Sequence, residues 1–189
     1  NEYYHIFNRG VDKREIFSDY DGLFRFFQSM DEFNDINPIG SIFENSFRKF
    51  EKPTSKKKKL VEFVCYCLNP NHFHLILKQL VDRGIEKFMQ RLGNGYTKYF
   101  NNKYNRSGSL FQGRYKSVHI SSNEQLLHVS VYVNLNNKVH QLGHSVSRSS
   151  WGEYIGDDDK HSFCEKDIVL GQFNNVNEYK LFAEDTLKD

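Results

Sequence analysis

His72-Phe73-His74 is the sharpest chemical feature of the sequence. In a β-strand, residues two apart project from one face, so both imidazoles point one way and Phe73 points the other. Two imidazoles on one face can hold a divalent cation when a third donor arrives from elsewhere. The bare pattern is weak, because strand histidines also pack or hydrogen-bond with no ligand role. Its flanks sharpen it: Leu68 and Leu75-Ile76-Leu77 put a polar pair on an otherwise apolar strand, where it needs a partner.

The second feature is a stripe. His128, Tyr132 and Asn136 are spaced by four and share one side of a helix that starts near Asn123. A phenol with the ordinary pKa of about 10 is a poor nucleophile, and a nearby cation both favours the phenolate and polarises a phosphate. The Asn136 carboxamide oxygen is a candidate third donor. The plainer reading also stands, in which Tyr132 packs with a wet hydroxyl and Asn136 caps a helix end.

Around these residues the composition suits nucleic acid. Net charge is only +2, but residues 1–120 carry 20 basic against 13 acidic residues, and residues 121–189 carry 6 against 11. Residues 83–116 hold 8 basic residues and 1 acidic one, interleaved with Tyr96, Tyr99, Phe100, Tyr104, Phe111 and Tyr115. Cations release counterions from phosphates and rings stack on bases, so Arg91, Lys98 and Arg106 are candidate DNA contacts, together with Arg9. A solvated amphipathic helix followed by a loop would have the same composition. With 17 Phe and 11 Tyr, the core is expected to be built from rings, with several tyrosines at the surface. No apolar run is long enough to cross a bilayer and the first residues lack a secretory pattern, so a cytoplasmic protein with no membrane partner is expected. Cys65, Cys67 and Cys164 are read as buried thiols.

The elements that must position the candidates follow in order. Glu2 to Arg9 reads as a strand and Arg9-Gly10 as a turn; Ser18 with Asp21 resembles a capping box opening a first helix. Residues 34–59, with two of the three prolines and Lys56-Lys57-Lys58-Lys59, read as an exposed excursion. Leu60–Leu68, Asn69-Pro70-Asn71 and His72–Leu77 form a β-hairpin signature. A long helix follows from about Gly84 to Tyr104, broken in preference by Gly93 and Gly95, then a turn at Arg106-Ser107-Gly108 and a strand over Tyr115–Ile120. Ser122 with Gln125 caps a helix from about Asn123 to Val139, the next stretch reads as loops around Trp151, and Val176–Leu187 closes as a helix. Strand, helix, hairpin, helix, strand, helix predicts an α+β fold. Its expected form is an antiparallel sheet with helices packed on it, ferredoxin-like, in one main domain over 1–142 with a loop and helix extension over 143–189.

Three segments in order, Tyr4-His5-Ile6-Phe7-Asn8-Arg9-Gly10, Leu68-Asn69-Pro70-Asn71-His72-Phe73-His74 and Ser107–Ser117, resemble the REP-associated tyrosine transposases. These belong to the HUH single-strand transposases related to the IS200 type. Tyr132-Val133-Asn134-Leu135-Asn136 is similar to the family's tyrosine-helix motif, and the likeness runs from about residue 2 to 142. The resemblance implies a palm-type HUH core, with His72 and His74 as ligands of Mg²⁺ or Mn²⁺, Asn136 as the third ligand and Tyr132 as the nucleophile. It places Arg114 and Lys116 near bound DNA. Asn137 departs from the pattern, which commonly has Pro after the Asn.

On that resemblance the chain cuts and rejoins single-stranded or hairpin DNA through a 5′-phosphotyrosine; a homodimer is left open. The rival readings are a non-catalytic nucleic-acid binder with rings on a ferredoxin-like sheet, and a replication-initiator or relaxase-like nickase with the same chemistry. The histidine pair in place of strand aromatics speaks against the first, and the single candidate tyrosine and the matched segments against the second.

Overall fold

Apolar and β-branched runs bounded by turn residues build a five-stranded sheet whose one face carries the histidine pair. The computed structural model describes residues 2–51, 57–139, 146–156 and 162–188. The strands are β1 (Tyr3–Arg9), β2 (Val61–Asn69), β3 (His72–Gln79), β4 (Lys116–Ile120) and β5 (Arg148–Ser149). Their order is β4-β1-β3-β2-β5 and every neighbouring pair is antiparallel. With α1 (Tyr20–Glu32) after β1 and α3 (Gly84–Lys103) after β3, the first four strands have the split β-α-β connectivity of a ferredoxin-like fold. The expected fold class is the observed one.

Register decides which side chains share a face. His72 lies opposite Arg9 and Asn69, and His74 opposite Phe7 and Cys67. Directly opposed residues project from the same side, so these form one continuous surface. Ile6, Phe73, Leu75 and Leu77 project from the other, where they are sealed under α1 and α3. Phe26 of α1 is the hub of that core: its ring meets Phe17, Phe73 and Tyr96 with centroids 4.9–5.3 Å apart, contacts that add about 0.5–1.5 kcal/mol each beyond burial. Tyr66, Tyr96, Tyr154 and Tyr179 are fully buried, while Tyr20 and Tyr132 are exposed. Cys65, Cys67 and Cys164 are buried and free.

Several sequence expectations are corrected in detail. The first helix is capped by Asp19, whose carboxylate accepts from Gly22 N at 2.8 Å, and not by Ser18. Within 34–59, Asn34 is buried and bridges to Val61, α2 (Ile42–Glu51) follows, and Phe43 and Phe47 on that helix are exposed. Lys56 of the lysine run lies outside the described residues; Lys57 pairs with Asp31 at 3.2 Å. α3 runs through both glycines, because Gly95 leaves room for the Phe33 ring, which would stand 2.6 Å from an added Cβ. The stretch around Trp151 holds β5, α6 (Trp151–Ile155) and α7 (Asp167–Leu170), and α8 (Val176–Thr186) closes the chain.

The helix after β4 is also two pieces. Ser122 caps α4 (Asn123–Asn134) by accepting from Gln125 N at 3.1 Å, as its spacing implied. At Leu135 the backbone leaves the helical region, with φ −109° and ψ 9°, and α5 (Asn136–Val139) begins. The extension holds α4 down: the Tyr179 hydroxyl accepts from Asn134 at 3.0 Å and lies 3.3 Å from the Ser130 hydroxyl, and Ser150 donates to Asn134 at 2.6 Å.

Candidate active site

α4 crosses the histidine face of the sheet against β2 and β3. His72 and His74 have ring centroids 5.3 Å apart, nearly perpendicular at 87°. The Tyr132 ring stands edge-on to His74 at 5.4 Å, and Tyr132 is 41% exposed whereas His74 is 8% exposed. The phenol is therefore open to solvent while the imidazole beneath it is held by packing. The break at Leu135 does not remove Asn136 from the group. Asn136 Oδ1 lies 3.0 Å from His72 Nε2, so the structure brings Tyr132, His72, His74 and Asn136 together. His128, the first member of the stripe, instead meets Phe182 of α8 at 5.2 Å.

His72 faces an acceptor on each side: Nδ1 is 2.6 Å from Asn71 Oδ1 and Nε2 is 3.0 Å from Asn136 Oδ1. A neutral ring carries one hydrogen, and in the tautomer with it on Nδ1 the Nε2 lone pair faces the Asn136 oxygen. The Asn69 amide, fully buried, donates to both, at 2.9 Å and 2.7 Å. In that tautomer the two lone-pair atoms, 3.0 Å apart, have the spacing of neighbouring donors around one ion with bonds of about 2.0–2.2 Å. The arrangement fits a divalent cation. Among the described residues no three His, Cys, Asp or Glu side chains are gathered to hold a metal, so the amide donor is essential to the fit. Asn136 Nδ2 is buried with no partner among the described residues, the mark of a side chain placed for its oxygen.

Sequence reading gave no separate role to two residues at this centre. Asn69 sits at the end of β2 opposite His72, and His5 of β1 places Nε2 2.9 Å from His74 Nδ1. Burial pushes the His5 imidazole down to about 4, which leaves it neutral at neutral pH. Only the cross-strand register reveals either one.

The candidate DNA residues divide. Arg9 and Lys116 flank the histidine cleft, a cavity of about 740 Å³ that Lys13 also lines, and Arg9 donates to Gln112 at its rim. Lys98 and Arg114 are exposed at a second, larger cavity of about 970 Å³ on the opposite face, floored by Phe73 and Phe111. That cavity contains no histidine, so size does not mark the candidate chemistry. Arg106 donates to Asn101 at 3.0 Å and covers the Phe100 ring, and Arg91 donates to the carbonyls of Asp35 and Ile36; neither reaches the cleft.

The family model of the IS200-like transposases matches residues 40–136, just over half of the chain, from the start of α2 to Asn136. The chain belongs to the IS200-like transposase family. A transposase acts on DNA, and the matched stretch contains the histidine pair, the basic helix α3 and all of α4. Among solved structures, one of a REP-associated tyrosine transposase bound to a REP hairpin aligns over 82% of this chain and 79% of that one, at 10% identity and a TM-score of 0.47. No curated protein matches. Among the described residues no helix is long and apolar enough to cross a membrane.

Proposed function

We propose that this IS200-like transposase is of the REP-associated kind and cleaves and rejoins single-stranded DNA at hairpin-flanked sites, with Tyr132 as nucleophile. The observation that carries the reading is the convergence of an exposed phenol with a two-histidine, one-amide donor set on one sheet face. Tyr132 Oη attacks the scissile phosphorus as the bond to the 3′ oxygen breaks. The phenol proton is lost, the departing oxygen leaves as a 3′-hydroxyl, and the DNA stays joined to Tyr132 as a 5′-phosphotyrosine. Attack by another 3′-hydroxyl reverses these changes and frees the phenol. His72, His74 and Asn136 would hold Mg²⁺ or Mn²⁺. When bound, that ion polarises the phosphate and favours the phenolate. Arg9 and Lys116 line the cleft as phosphate contacts, and Arg114 and Lys98 offer further basic contacts at the second cavity on the other face.

The other tyrosines support the choice. Tyr96 is buried and donates to Ile16 O at 2.6 Å, and Tyr104 donates to Asp19 at 2.8 Å. With Mg²⁺ and labelled single-stranded hairpin DNA, the chain should form a denaturation-resistant adduct that maps to Tyr132 and is absent in Tyr132→Phe. An adduct on another tyrosine overturns the assignment. A salt-sensitive binder that forms none favours the non-catalytic reading.

A further inference from the structure

We propose that His5 is a positioning residue, whose Nε2 accepts the Nδ1 hydrogen of His74 and so turns the lone pair of His74 Nε2 toward the cleft. The inference rests on the metal reading of the histidine pair. A ring nitrogen that carries hydrogen cannot be a ligand, and which nitrogen carries it is set by the partner of the other. His74 is nearly enclosed. The Phe7 ring lies almost parallel to it at 5.6 Å and offers no acceptor, and Tyr132 stands edge-on at 5.4 Å. His5 is tilted only 24° from the His74 plane, with Nε2 and Nδ1 2.9 Å apart. It lies opposite Ile76, one diagonal step from His74 on the same face, so the pairing of β1 with β3 holds the two rings in place.

The arrangement repeats at the other imidazole. Asn71 Oδ1 stands 2.6 Å from His72 Nδ1, the same ring position that His5 meets on His74. Each histidine thus has a side-chain acceptor on Nδ1, an amide oxygen for one and an imidazole for the other. Both Nε2 atoms are then lone-pair donors, and that of His72 already faces Asn136 Oδ1. A hydrogen bond running the other way, from His5 to His74, would put the hydrogen on His74 Nε2 and disable it as a ligand.

The test titrates the full chain with Mn²⁺ and reads the free ion by electron paramagnetic resonance, with hairpin-DNA affinity measured alongside. His5→Phe should weaken Mn²⁺ binding by about 10- to 100-fold while hairpin affinity stays unchanged. His5→Gln, whose side-chain oxygen can accept the same hydrogen, should restore most of the loss. Nitrogen-15 shifts of His74 in the unaltered chain should report hydrogen on Nδ1, a measurement that needs no variant to fold. His5→Phe binding Mn²⁺ as tightly as the unaltered chain, His5→Gln as weak as His5→Phe, or hydrogen on His74 Nε2 would each overturn the role of His5. If His74→Ala also binds Mn²⁺ unchanged, the metal reading itself fails, and the His5 proposal falls with it.

Discussion

Asn136 shows how a single side chain can be placed against its own comfort. A buried donor without a partner costs about 1–3 kcal/mol, and Asn136 Nδ2 is such a donor among the described residues while its oxygen sits between Asn69 and His72. Removing the side chain therefore loses packing but also relieves that cost. Asn136→Ala should change unfolding stability by less than about 1 kcal/mol in urea titrations, yet weaken Mn²⁺ binding by about 10- to 100-fold. Asn136→Asp, which keeps the oxygen and adds charge, should retain it; equal loss in both variants would mean the oxygen is not a donor. At this scale the sequence was partly legible. His72 and His74 declare themselves because a strand repeats every two residues. Tyr132 and Asn136 declare themselves by helical spacing, although the chain breaks between them at Leu135. His5 and Asn69 could not be read, because their roles arise from pairing β1 and β2 with β3, and no local pattern encodes register.

Among the elements, α3 holds two glycines two residues apart with opposite reasons to be there. A Cβ at Gly93 meets nothing within 4 Å, whereas one at Gly95 would meet the buried Phe33 ring at 2.6 Å. Gly93→Ala should stabilise the fold by up to about 1 kcal/mol through helix propensity. Gly95→Ala should destabilise it by about 1–3 kcal/mol through overpacking. Thermal melts of the pair check the sign, and a shared sign would mean that Phe33 gives way or that the helix is less regular than described. From the sequence both looked alike as helix breakers; only the neighbouring α1 end separates them. The cap of α1 carries its own pH signature. Hydrogen bonds from Lys103, Gly22 N and Tyr104 hold the Asp19 carboxyl down at about 2. A value below the ordinary one means that the contribution is present at neutral pH and is lost as pH falls from about 4 through about 2. Asp19→Ala should cost about 1 kcal/mol at pH 7, and the gap from the unaltered chain should narrow in urea titrations toward pH 2. A gap that does not change with pH would show that the cap works without its charge.

For the whole molecule, the division of cations between bound and exposed states sets the response to salt. Replacing Arg114 and Lys116, both exposed, with Ala should flatten the dependence of hairpin affinity on salt by about one to two units, one for each lost phosphate contact. Arg91→Ala should leave the slope alone, since its guanidinium is engaged by the carbonyls of Asp35 and Ile36. Equal slopes for all three chains would place the DNA elsewhere. Composition showed that the stretch is basic but could not show which cations the fold consumes internally. The role of the last residues was equally hidden, because β5 is only two residues long, and Ser150 after it and Tyr179 of α8 mean nothing as anchors until α4 lies beside them. The strand order has a further effect, on the order in which the molecule can be made. β1 is built before its partners β3 and β4, and His5 and His74 are separated by 69 residues. At a synthesis rate of about 5–20 residues per second, β1 waits roughly 3–14 seconds for β3 to be made. During that interval Tyr3, Ile6 and Phe7 have no sheet to join, so the histidine cleft cannot be assembled before β3 is made.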